Sequence, residues 1–125
     1  MNRSLRAAFG GAVFAIAAAG VAFAHHNPMD GFDANAPVVV TGEIVQVDWV
    51  APHAQVHLKT TDGKQWRVQV APPATMHENG LDKTSFGAKE SVIIRGYRST
   101  DKTCKPECVA TAVDITFADG LKIRL

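Results

Sequence analysis

With 125 residues, 46% apolar and 20% charged side chains, the chain has the composition of one globular domain, which excludes a disordered or fibrous polypeptide. The formal net charge is +1, and both Arg3 and Arg6 fall in a leader-like stretch without acids, so the remainder carries about −1. A nucleic-acid partner calls for a clear basic excess, and none remains.

Residues 1–24 read as a secretory signal peptide. Arg3 and Arg6 form a basic start, Ala7 to Phe23 is an almost unbroken apolar run, and Ala22-Phe23-Ala24 is an A-x-A cleavage site. Gly10, Gly11 and Gly20 weaken the rival reading of a membrane anchor, so no membrane association is expected after cleavage. Export to the periplasm is the expectation, and with it an oxidising compartment. The mature chain would then start at His25.

Residues 25–37 form an extended arm, because Pro28, Gly31 and the acids of His25-His26-Asn27-Pro28-Met29-Asp30-Gly31-Phe32-Asp33 resist any regular element. The domain proper is expected over 38–125. Val38 to Val50 is a long β-branched strand whose apolar positions change phase between Val40/Ile44 and Val45/Val47/Trp49, which is what a bulge produces. The corner Trp49-Val50-Ala51-Pro52-His53-Ala54 follows. Gln55 to Thr60 and Gln65 to Val70 alternate and must pair as a hairpin. A three-residue loop, Thr61-Asp62-Gly63 with Gly63 left-handed, sets Leu58 opposite Trp66 and His57 opposite Arg67; a two-residue loop would put Leu58 against a charge. His57 then belongs to the outer polar face.

Pro72-Pro73 ends the third strand, and Ala74 to Asn79 reads as a short helix stopped by Gly80, with Leu81 and Phe86 packing the loop behind it. Ser91 to Tyr97 and Val109 to Phe117 are the fourth and fifth strands, and Asp119-Gly120 turns into a last short strand, Leu121 to Leu125. Three strands, one short helix and two strands is the order of an all-β, five-stranded OB-like barrel. An immunoglobulin-like sandwich needs about seven strands.

Cys104-Lys105-Pro106-Glu107-Cys108 joins the last two barrel strands. In an exported chain a local Cys104–Cys108 disulfide is the simplest reading; a thiolate pair for Cu(I) or Zn(II) is its rival. A redox-active pair normally has two intervening residues and a helix N-terminus, and this stretch has neither.

The histidines carry the chemistry. Cleavage after Ala24 gives His25 a free α-amino group, which with its own imidazole chelates one metal, and copper suits such nitrogen ligands best among divalent ions. A third nitrogen from His53 completes a histidine brace; His26 and His57 are the alternates, and Trp49 stands beside the corner as a secondary site residue. Against this stands the plain reading that surface histidines are common.

The segments His25-His26, Val40-Thr41-Gly42-Glu43-Ile44, Trp49-Val50-Ala51-Pro52-His53-Ala54 and Val92-Ile93-Ile94-Arg95-Gly96-Tyr97 resemble an uncharacterised family of small exported bacterial proteins. Its members share an A-H-H mature start, a T-G-x-V strand, a W-x-N-P-H corner and a V-x-V-x-G-Y/F strand before a D-G turn. The resemblance spans the mature chain. His25, His26, Trp49, Pro52 and His53 match, while Ala51 stands where the family has Asn, and the cysteine loop is outside the shared pattern. It implies no activity, and it strengthens a site built from His25, His26 and His53.

Two function classes follow: a periplasmic metal-binding module, with copper the favoured ion, or a non-enzymatic barrel binding a small ligand or protein on the outer face around His57, Arg67 and Gln69. An enzyme ranks third, since no Ser-His-Asp order, carboxylate pair or phosphate-cradling glycine loop is present, although an open copper brace can support oxidative chemistry. No catalytic residue is assigned.

Overall fold

The computed structural model describes residues 27–88 and 90–125; the expected signal peptide, His25 and His26 lie outside them. Strand β1 (Phe32–Asp48) organises the rest. Its first half pairs antiparallel with β4 (Ser91–Ser99) and its second half with β2 (Gln55–Lys59), with Glu43 paired on both sides. A strand that serves two partners must bend, and Gly42 is where it does: a Cβ there would lie 2.8 Å from the Lys59 carbonyl oxygen. The expected phase change is a bulge between Ile44 and Gln46, which leaves Val45 exposed.

β1 begins at Phe32, before the Val38 start that the β-branched run suggests. Its first residues join through an isolated Phe32–Ser99 pairing, with a register shift before Pro37. Long-range pairing with β4 recruits this segment despite its weak local propensity.

The hairpin of β2 and β3 (Gln65–Gln69) has the expected register, Leu58 opposite Trp66 and His57 opposite Arg67, and Gly63 adopts φ +81°. Helix α1 (Pro73–Glu78) follows and buries Met76 completely. A 3-10 turn, Lys83–Ser85, is capped by the Asp82 carboxylate, which accepts from the Thr84 and Ser85 amides. Strand β5 (Cys108–Phe117) pairs antiparallel with β4 and, through its first residues, parallel with β3; β6 (Lys122–Arg124) extends its far end. The β3–β5 pairing closes the barrel.

Alternation explains the interior. Ile44, Val56, Leu58, Val68, Val92, Ile94 and Ile115 are all at most 1% exposed, and each contributes about 1.5–3 kcal/mol by leaving water. Phe86 bridges Trp49 and Phe117 at ring separations of 5.9 and 5.6 Å, tying the corner to the core. Leu81 and Phe86 are buried, as their loop positions suggest. Among the described residues no helix is long and apolar enough to cross a membrane.

Candidate functional site

The corner between β1 and β2 hangs on Trp49, half-buried against Phe86, and on the mutual backbone hydrogen bonds of Ala54 with Val70 and Ala71. It presents His53 half-buried, with Nδ1 at 3.2 Å from the Val70 carbonyl oxygen. A carbonyl only accepts, so Nδ1 carries the proton and the neutral ring keeps its lone pair on Nε2. A backbone carbonyl fixing one ring nitrogen is the usual support of a metal-ligating imidazole, because it sets both tautomer and ring direction.

One residue earlier on β3, the Gln69 side-chain amide donates to the Pro28 carbonyl oxygen at 3.4 Å. The described beginning of the arm and the anchor of His53 thus fall on adjacent residues, the last of β3 and the one that follows it.

His57 is held differently. Its Nε2 lies 2.8 Å from Asp48 Oδ2 and its Nδ1 3.5 Å from Glu107 Oε2, while Glu107 Oε1 accepts from Arg67 Nε at 2.8 Å. The imidazole is 19% exposed, and both nitrogens face acceptors. Hydrogen bonds from Gln46 and then from His57 hold the Asp48 carboxyl below its ordinary value. The outer-face position beside Arg67 is as expected, but the ring is a strap between the end of β1 and the cysteine loop. Both ring nitrogens are turned toward carboxylates and away from open solvent. Asp48, Gln46 and Glu107 are partners that sequence reasoning missed: the register of β1 on β2 brings Asp48, with Gln46 beside it, to the ring, and only the closure at β5 brings the distant Glu107.

Cys104 and Cys108 form the expected disulfide, with S–S 2.08 Å. Among the described residues no group of three His, Cys, Asp or Glu side chains is placed to hold a metal ion. A concavity of about 430 Å³ between β1, β4 and β5, lined by Pro37, Val39, Arg95, Tyr97, Val113 and Asp114, contains none of the expected site residues. Its guanidinium is occupied by the buried Asp114 carboxylate, which Arg95 and also Lys122 hold below the ordinary carboxylate value. The histidines define the better candidate.

A closed five-stranded barrel with a helix between β3 and β4 and a parallel β3–β5 seam defines an OB-fold protein. The chain belongs to the family of unknown function DUF6152, whose family model matches residues 13–106. Among solved structures it is similar to a chain of the S. pombe Stn1–Ten1 complex, at 14% identity and a TM-score of 0.50 over 65% of this chain and 57% of that one. It is also similar to asparaginyl-tRNA synthetase from Pyrococcus horikoshii, at 15% identity and a TM-score of 0.48 over 68% of this chain and 20% of that one. The chain thus spans 57% and 20% of the two neighbours, and the likeness concerns the fold alone. No curated protein matches it.

Proposed function

We propose that the protein is an exported copper-binding module whose ligands are the α-amino group and imidazole of His25 and Nε2 of His53, with His26 as the alternate donor. The observation that carries this reading is the convergence at the end of β3: Val70, just past the strand, fixes the His53 tautomer with Nε2 free, and Gln69 beside it holds Pro28. His25 is three residues from Pro28, so the covalent chain keeps it within about 11 Å of that anchor. Support for the export step is the A-x-A motif ending at Ala24, which would leave the amino group of His25 free. Copper follows from an all-nitrogen donor set.

The test is Cu(II) titration of protein beginning at His25, followed by electron paramagnetic resonance. A nitrogen-rich Cu(II) signal is expected, and one added residue before His25 should weaken binding as severely as His53→Ala, since it moves the amine off the chelate ring. Equal affinity of all three proteins would sink the proposal.

A second reading is a binding barrel without metal, which uses the outer face of β2 and β3 for a small ligand or a protein. Arg67 favours it: its contact with Glu107 runs through Nε, and the side chain remains 41% exposed among Gln55, Gln65 and Gln69. Arg67→Ala should abolish such binding and leave copper affinity intact.

A further inference from the structure

Arg98, on β4, is a cation in need of an anion. Its Nη2 donates toward the Cys104 sulfur at 3.0 Å and the Lys102 carbonyl at 3.4 Å, its guanidinium carbon lies 5.6 Å from the centroid of the Trp66 ring, and its Nε is buried without a partner. No described carboxylate forms an ion pair with it. The other charged groups around this sulfur are Arg67 on β3 and Asp101, Lys102, Lys105 and Glu107 in the loop; Arg67 is paired with Glu107, and Lys102 with Asp33. A disulfide sulfur is a poor acceptor for a guanidinium, and a thiolate is a good one.

The two sulfurs are also unequal. Cys108 is the first residue of β5 and only 3% exposed, whereas Cys104 is half-buried at the loop surface. Cys104 is besides the one non-glycine residue with positive φ among the described residues, at +52°, a conformation disfavoured for an L side chain. Access, positive charge and local backbone strain therefore meet on one sulfur of the pair.

We propose that Cys104–Cys108 is an exchange-active disulfide, with Cys104 the sulfur that joins a thiol–disulfide partner and Arg98 its positioning cation. In the reducing direction, a partner thiolate attacks Cys104 Sγ and the bond to Cys108 breaks, Cys108 leaving as thiolate and taking a proton. A second partner thiol then loses its proton and attacks the partner's own sulfur in the mixed disulfide. Cys104 is expelled as a thiolate beside Arg98, and the partner becomes a disulfide. Two electrons and one proton reach this protein in all; the second proton released by the partner's thiols goes to solvent, because Cys104 stays a thiolate beside Arg98. The reverse sequence passes the electrons to a partner disulfide, with Cys108 resolving the mixed species. This departs from the spacing argument against redox activity: the cation that a helix N-terminus usually supplies comes here from a neighbouring strand.

The test uses metal-free protein, full-length but for its leader, and glutathione disulfide as the probe. Cys108→Ser should form a stable glutathione adduct on Cys104 at pH 7 at least ~10-fold faster than Cys104→Ser forms one on Cys108, because only one thiolate is exposed and charge-stabilised. In the Cys108→Ser background, Arg98→Met should slow the adduct by roughly 10-fold at pH 7 and converge with the parent at alkaline pH, where Cys104 ionises unaided; Arg98→Lys should restore part of the rate. Circular dichroism would identify a misfolded variant, for which the comparison of the two serine proteins still decides. Equal rates at both cysteines, or a rate at pH 7 indifferent to Arg98 in a folded protein, would overturn the proposal and leave a structural staple.

Discussion

His53 and His57 are four residues apart, and the barrel treats them oppositely. One ring nitrogen of His53 is spent on the Val70 carbonyl and the other is left over; both nitrogens of His57 face carboxylates, Asp48 at 2.8 Å and Glu107 at 3.5 Å. The corner fixes a ring for use, whereas the sheet face uses a ring to fix its surroundings. Imidazole chemistry is thus decided by what the second nitrogen meets, and neither burial nor mere presence on a surface separates the two cases.

The sharpest way to break this contrast is copper affinity. His53→Ala should weaken Cu(II) binding by at least ~10–100-fold, judged from the cost of losing even the supporting partners of a ligand, and His57→Ala should leave it unchanged. Isothermal titration of the two variants decides, and loss in the His57 variant instead would reverse the assignment.

Stability should show the opposite order. Removing His57 takes a hydrogen bond from Asp48 and an ion-pair partner from Glu107, at a cost of about 1 kcal/mol in urea unfolding. His53→Ala loses one bond to a backbone carbonyl with no charged partner in it, and should cost less. Glu107→Gln keeps the shape of the strap but weakens its charged contacts to Arg67 and His57; the loss should be about 0.5 kcal/mol, with faster proteolysis across residues 100–107 as the companion readout.

The smallest expected effect concerns acid. Gln46 and His57 depress the Asp48 carboxyl, and Arg95 depresses that of Asp114. A depressed folded value means that the stabilisation is complete above the ordinary carboxylate value of about 3.9 and fades as pH falls through the folded one. Unfolding free energy should therefore stay flat on this account above about pH 5 and drop below about pH 4. Asp114→Asn should flatten that drop more than Asp48→Asn, because the Asp114 side chain is 5% exposed and that of Asp48 39%. An equal change in both variants would remove burial as the deciding factor.

Most of the barrel was legible in the residues. The apolar alternation and Gly63 yielded the register of the β2–β3 hairpin, the phase change from Ile44 to Val45 located the bulge, and Pro73 and Gly80 bracketed the helix. These are local signals. The start of β1 at Phe32 was not legible, since it depends on a pairing with Ser99 that no short window contains. The site was read unevenly for the same reason. Pro52 and His53 stand out as a stiff corner, and His57 follows from alternation, but the Val70 carbonyl reaches His53, the Glu107 carboxylate reaches His57 and the Arg98 guanidinium reaches the Trp66 ring only once distant strands have met.

The parallel β3–β5 seam has a consequence for how much of the chain is needed. β5 is inserted between β3 and β4, so a chain that stops short of Cys108 leaves both of those strands with an unpaired edge. Such edges recruit strands from other copies. A polypeptide ending at Pro106 would keep the hairpin, the helix and every histidine, yet should scatter more light than one that continues through β5. β5 thus covers two edges at once, and no other strand of the barrel can stand in for it.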